Sequence, residues 1–232
     1  MASPGIVGLK GAAGRRSTPD LIADALRAAI VDGRIAGGAQ LKQNEIAAEF
    51  GVSVVPVREA FQRLVADGMA TLAPNRGVTV SRLSEADFQD IAELRALLEP
   101  HALRLSAPAL TADDLARAAA TLRAAASATD PAERARLHWD FHRALYARAD
   151  RPRLLAQIDG LYVNISRYLS PLWQRVGLSP GWVESHMTIV DAIARGDVDA
   201  AARLVTEQIF EASGRVRDIL RARDGAATGK GR

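Results

Sequence analysis

A chain of 232 residues with 48% hydrophobic content can bury one large core or two modest ones, and the lack of cysteine excludes a disulfide framework, a Cys-based zinc site and a thiol nucleophile. No apolar run approaches the roughly 18 residues that span a bilayer, and Ile6 to Leu9 is too short for a signal-peptide core, so a soluble, unexported, cytoplasmic protein is expected. Net charge is only +3, but residues 1–82 hold 10 Lys/Arg against 7 Asp/Glu whereas residues 83–232 hold 20 against 20, an asymmetry that agrees with a phosphate-facing surface in the N-terminal part.

Residues 1–16 mix Gly, Ala and Ser with Lys10, Arg15 and Arg16 without apolar periodicity and read as a mobile arm. Ser17 or Thr18 then caps a helix with Pro19 near its first position, and Leu21, Ile22, Ala25, Leu26, Ala29 and Ile30 form its apolar stripe up to Gly33. A second, short helix over Asn44–Phe50 packs Ile46, Ala47 and Phe50 to one side, and Gly51 supplies the left-handed backbone of a sharp turn. Ser53 is placed to cap a third helix with Pro56 in its first turn. Val57, Ala60, Phe61, Leu64 and Val65 repeat at i, i+3, i+4, i+7, i+8 on its inner face. Val55, Arg58 and Gln62 fall on the opposite flank, which has the guanidinium, amide and small apolar groups that a major-groove helix uses.

Asp67-Gly68 stops that helix, and Ala70, Leu72, Val78 and Val80 alternate on either side of Pro74-Asn75-Arg76-Gly77, the pattern of a β-hairpin. Arg76 at its tip suits the minor groove, and Gly77 lets backbone approach the sugar-phosphate closely. Residues 17–82 therefore read as a winged helix-turn-helix of three helices plus a hairpin, with Asn44, Ser53, Val55, Arg58, Gln62, Arg76 and Gly77 as the DNA-facing set.

Residues 83–224 read as helical throughout. Ser84 with Asp87 opens a helix lined by Phe88, Ile91, Leu94, Leu98 and Leu105, kinked rather than ended by Pro100. Thr111 with Asp114 opens the next (Leu115, Ala118, Ala119, Leu122, Ala126), and Asp130-Pro131 a third (Leu137, Phe141, Leu145). Pro152 begins a fourth, interrupted at Pro171, then Ser179-Pro180 a fifth, and Asp197 caps the last. The fold class is mainly α, a winged domain followed by an antiparallel bundle of six or seven helices that can hold a ligand between them, and residues 225–232 have the composition of a disordered tail.

The run GVSVVPVREAFQRLVADG followed by APNRGVTV resembles the DNA-binding domain of GntR-type bacterial transcription regulators, which carry a Ser-Arg-Thr-Pro-Val-Arg-Glu-Ala recognition helix and a Pro-Asn-Arg-Gly wing. Val54 stands where the family usually has Arg, which removes one expected groove contact. The segments ELRALLEPHALRLSA, DFHRALYARADRPRLL and SHMTIVDAIARGDVDAA resemble, more loosely, the helical effector domain of the FadR branch of that family. The resemblance implies a homodimeric, ligand-responsive regulator, most often a repressor of a metabolic operon, acting on an inverted repeat in double-stranded DNA.

His138 and His142 lie one helical turn apart and can converge on one ion. In metal-binding members the site is an Asp, a His four residues later and two further histidines, so the resemblance adds His186 and marks two departures: His138 stands at the Asp position and Gln208 at the last His position. Three imidazoles remain able to hold a divalent ion such as Zn²⁺ or Ni²⁺, while histidines on inward faces also serve as hydrogen-bonded core residues. Arg95 matches an Arg that recurs in the first effector-domain helix and suits an anionic ligand, a small carboxylate; the competing role is a surface ion pair with Glu99. His101 is expected to be structural. A metallohydrolase is disfavoured because a zincin helix needs Glu after the first histidine and Trp139 occupies that place, with Asp140 turned away. A helical domain serving only dimerisation or adaptor contacts stays open.

Overall fold

The computed structural model describes residues 17–228 apart from 32, 74–76, 83 and 177–180, with side chains described except at 73, 167–176, 219–220 and 222–228. Its N-terminal part comprises α1 (Thr18–Val31), α2 (Gln43–Phe50) and α3 (Val54–Ala66) with a three-stranded antiparallel sheet ordered β1-β3-β2, formed by β1 (Gln40–Leu41), β2 (Ala70–Ala73) and β3 (Gly77–Val80). The two-residue β1, too short to show any alternation, pairs Gln40 with Thr79 and Leu41 with Val78. Ser17 caps α1, its Oγ accepting from the Asp20 N–H while the Asp20 carboxylate accepts from the Ser17 N–H.

Helix α1 buries Ile22, Ala23, Leu26, Ala29 and Ile30; Leu21 is 52% exposed, and Ala25 is also exposed. Four of the six expected residues are thus buried, and Ala23 joins them in place of Leu21 and Ala25. Gly51 turns the chain at φ +62, as its position after Phe50 requires. Ser53 occupies the extended N-cap position of α3 but its hydroxyl caps nothing. Pro56 is the third residue of that helix, and a proline there has no N–H to give the serine. Val57, Ala60, Phe61 and Leu64 close the small core with Met69, Val78 and Val80.

Among the described residues six helices follow: α4 (Glu85–Ser106), α5 (Ala112–Ser127), α6 (Pro131–Tyr146), α7 (Pro152–Val176), α8 (Trp182–Ala194) and α9 (Val198–Thr228). Thr111 and Asp114 form a complete capping box on α5, Ser84 accepts from the Asp87 N–H, and Asp130 accepts from the Ala132 N–H. Pro100 sits buried inside an unbroken α4. Helix α7 also continues through Pro171, against the expected interruption: a proline deletes one helical hydrogen bond but both flanking segments can stay helical. Residues 179 and 180, expected to open α8, lie outside the described residues; Gly181 precedes that helix. Helix α9 runs to Thr228, into the stretch expected to be a tail, and residues 1–16 and 229–232 lie outside the described residues. No described helix is long and apolar enough to cross a membrane.

Helix α4 departs most from its expected face. Phe88, Ala92, Arg95, Glu99, Ala102, Leu103 and Ser106 are buried, Ile91 and Leu98 are half-buried, and Leu94 is 47% exposed. Arg95 and Glu99 point into the bundle with Phe88 and Leu103 while Leu94 and Leu97 point out, a rotation that a hydrophobicity pattern cannot reveal.

Candidate functional site

Two surfaces concern function. On the winged domain, Val55, Arg58 and Gln62 are all exposed on the side of α3 opposite its buried stripe, with Ser53 and Asn44 exposed nearby in sequence. A helix that buries Val57, Ala60 and Leu64 must present these three outward, because residues one and two positions away lie around the cylinder. Gly77 takes φ +73 at the start of β3, which a side chain would strain. Arg76, with Pro74 and Asn75, lies outside the described residues.

In the bundle, α6 and α8 bring together the three histidines expected to converge. Nε2 of His138 lies 2.9 Å from Nε2 of His186 and 3.1 Å from Nε2 of His142. One ligand nitrogen from each ring lies within 4.8 Å of the others. His142 and His186 are buried, and His138 keeps partial exposure. Burial, and then the neighbouring rings and Arg95, push His138 and His142 well below the usual imidazole range; burial brings His186 down to about 4 against a hydrogen bond that opposes it. All three are therefore neutral at neutral pH, the form that binds metals.

The surrounding groups orient these rings. Nδ1 of His186 lies 2.8 Å from the Trp182 carbonyl, which can only accept, so the proton is on Nδ1 and the Nε2 lone pair faces the cluster. Nδ1 of His142 makes a long 3.5 Å contact with the Tyr146 hydroxyl, which donates to Glu99 at 2.8 Å. Glu99 in turn accepts from Arg95 at 2.5 Å. The Arg95–Glu99 pair forms as the i+4 spacing allows, but it is buried, not superficial: Arg95 is 6% and Glu99 0% exposed. Burial alone would lower the Arg95 pKa; the Glu99 carboxylate outweighs it and holds the guanidinium charged. A chain of polar contacts, its longest link the 3.5 Å one at His142, thus runs from the histidines to a buried cation. From sequence Glu99 is expected only as a surface partner of Arg95, and Tyr146 is not singled out at all; the His142/Tyr146 spacing of four is the available signal for the latter.

Gln208, at the position of an expected fourth ligand, donates through its amide to the Ser185 carbonyl at 2.8 Å, beside His186. Asp140 pairs with Arg136 at 2.8 Å and so faces away from the histidines. His101 is exposed on α4, on the helix flank opposite Glu99 and Leu103. A cleft of about 440 Å³ lies on the other side of α6 against α7, with Trp139, Arg143, Tyr146, Leu155, Ile158 and Asp159 in its wall and none of the three histidines.

A winged helix joined to a helical bundle with a polar interior defines a DNA-binding regulator carrying a second, sensory domain. Residues 19–80 match the model of the "Bacterial regulatory proteins, gntR family", and residues 90–210 match the FCD domain, so the chain belongs to the GntR family, in its FadR-type, FCD-bearing branch. It is 30% identical over 84% of its length to the "Probable D-xylose utilization operon transcriptional repressor" of Paenarthrobacter nicotinovorans, covering 87% of that protein. It is 29% identical over 84% of its length to the HTH-type transcriptional repressor RspR of Escherichia coli (strain K12), covering 86% of that one. The fold matches that of E. coli McbR/YncC with a TM-score of 0.76 at 24% identity, over 88% of this chain and 99% of that one. The chain is a DNA-binding transcriptional regulator.

Proposed function

We propose that the protein is a cytoplasmic, homodimeric repressor of a metabolic operon, in which residues 17–82 bind an inverted repeat and residues 83–224 dimerise and sense a small carboxylate held through a divalent metal. The observation that carries the sensing half is the convergence of the His138, His142 and His186 Nε2 atoms at 2.9 and 3.1 Å. The single Nε2 proton that His138 can carry points to only one of its two ring neighbours at a time, so imidazoles alone satisfy this cluster poorly. One ion accepting three lone pairs satisfies it fully, and tetrahedral bonds of about 2.0–2.1 Å set neighbouring nitrogens a little over 3 Å apart. Zn²⁺ or Ni²⁺ fits this all-nitrogen donor set.

The metal would supply a Lewis-acid anchor for an anion. Three neutral ligands leave its charge uncompensated, and the Arg95–Glu99 pair contributes no net charge, so an anionic group completing the coordination is favoured over a neutral one. Arg95, buried in the same interior, offers a second anchor for a hydroxy acid, keto acid or dicarboxylate. Repression is the reading that the repressor-named relatives support. The test is operator binding by the full chain, followed by fluorescence anisotropy on the promoter of its own gene, with Zn²⁺ plus a panel of organic acids. A change in operator affinity that needs both metal and one class of acid is expected; no acid altering affinity at any metal concentration would overturn the sensing role.

A further inference from the structure

One turn of α7 has a foot in each half of the molecule. Tyr162 faces the bundle: its ring stacks on Trp139 with centroids 4.0 Å apart, its hydroxyl donates to the Ala135 carbonyl at 2.7 Å, and the Arg95 guanidinium lies 5.9 Å from its centre. Trp139 lies on the same helix as His138 and His142, and the Arg95 guanidinium near the Tyr162 ring is the one held by Glu99, which also accepts from Tyr146 beside His142. Val163, next along, packs against the winged-helix core. Asn164 donates its side-chain amide to the Asp67 carbonyl at 2.5 Å and to the Gly160 carbonyl of its own helix at 3.1 Å.

The Asp67 carbonyl belongs to the turn that ends the recognition helix. There the Asp67 N–H bonds to Arg63, the Gly68 N–H to Val65 and the Met69 N–H to Leu64. Gly68 takes φ +71, and a methyl group added to it would stand 3.6 Å from the Asn164 carboxamide, so the turn lies directly against α7. From the other side Arg27 of α1 holds the Asp67 carboxylate at 2.6 Å. The last carbonyls of a helix have no partner within it, and here one partner comes from the sensory domain.

We propose that Asn164 is the coupling residue between the two domains: it clasps the C-terminal turn of α3 to the face of α7 opposite Tyr162, so that repacking of the Tyr162–Trp139 layer moves the recognition helix. A helix of 13 residues transmits displacement of one end to the other as a nearly rigid rod, and the end carrying Val55 and Arg58 is the one that meets DNA. The proposal rests on the reading of the histidine cluster as the sensing site, but its test uses no effector.

The experiment is amide hydrogen exchange at Gly68 and Met69 on the full-length protein in four forms: parent, Asn164→Ala, Tyr162→Phe and the double variant. Asn164→Asp, which keeps the volume but turns an acceptor toward the Asp67 carbonyl, stands in should the alanine variant fail to fold. Loss of one net hydrogen bond speeds exchange at these amides by about threefold to tenfold. Tyr162→Phe removes only the bond to Ala135, on the face of α7 opposite Asn164; it should alter exchange at Gly68 and Met69 in the parent and leave them unaltered once Asn164 is replaced. An effect of Tyr162→Phe that is absent in the parent, or equal with and without Asn164, overturns the proposal, as does unchanged exchange in the Asn164 variants. Failure of the metal or acid to bind would instead count against the sensing site and leave this comparison standing.

Discussion

Nε2 of His138 lies 2.9 Å from Nε2 of His186, although 48 residues and different helices separate them. Two neutral imidazoles at that distance need one to donate, and the Trp182 carbonyl already fixes His186 as the acceptor. His142 then meets the same His138 nitrogen at 3.1 Å. The full chain should accordingly bind one Zn²⁺ or Ni²⁺ per protomer, measured by metal analysis after gel filtration, with a higher melting temperature that rises again when an organic acid is added. His142→Ala should abolish both gains. Equal stabilisation by acids with and without metal, unaltered in that variant, would mean that the three rings are core residues and the effector binds without an ion.

On the DNA side, Arg58 projects from the exposed flank of α3 one turn after its N-terminus. Arg58→Ala should weaken operator binding by about 1–3 kcal/mol if the guanidinium reads a base, without altering helical content. Arg76→Ala should weaken binding and shift preference away from narrow A·T-rich minor groove. Both variants binding as tightly as the parent in anisotropy titrations at physiological salt would remove the groove assignment.

Local chemistry made the winged domain readable in advance. Gly51, the i/i+3/i+4 repeat from Val57 to Leu64 and the turn residues around Gly77 each act within a few positions, so sequence order carries them. The Ser53 cap failed for an equally local reason, the proline at Pro56. The histidine trio was half legible: His138 and His142 share a helix face by spacing, whereas His186 came only from resemblance, because no periodicity reports which helices pack together. The outward Leu94, the buried Glu99 and the link from Asn164 to Asp67 are products of tertiary arrangement. They depend on the rotation of α4 and α7 about their axes, which the sequence underdetermines when one helix carries apolar residues on two sides.

Such a second apolar side is what a dimer needs. Leu94 is 47% and Leu97 70% exposed on α4, beside half-buried Ile91 and Leu98. The Arg104–Asp199 and Glu85–Arg221 ion pairs mark an antiparallel register in which Phe210 of α9, also exposed, falls level with this patch. A single winged helix covers too few base pairs for useful specificity, and a two-fold dimer reads a palindrome. Leu94→Glu with Leu97→Glu should shift the protein from dimer to monomer in analytical ultracentrifugation, keep its helical signal and lose paired footprints on the operator. A double variant that stays dimeric would place the interface elsewhere.

The buried histidines also make a prediction about acid. Free imidazole titrates near 6.5; burial brings His186 down to about 4 and lowers His138 and His142 as well. For a base with a depressed pKa, the unfolded chain binds protons first as pH falls through about 6.5, while the native state stays neutral. Unfolding then takes up protons, so stability declines with falling pH across the window from about 6.5 to 4, each such group contributing on the order of 1 kcal/mol per pH unit until its native form protonates. Metal-free protein in chelator should consequently melt at a lower temperature at pH 5 than at pH 7. His186→Asn removes one titrating ring and should flatten that slope, even if it lowers the melting temperature at pH 7. Added Zn²⁺ should raise the curve most at pH 7 and least at pH 5, because protons compete for the same Nε2 lone pairs. A melting temperature independent of pH between 5 and 7 in the chelated parent, or a slope identical in His186→Asn, would show that these rings are not held neutral by burial.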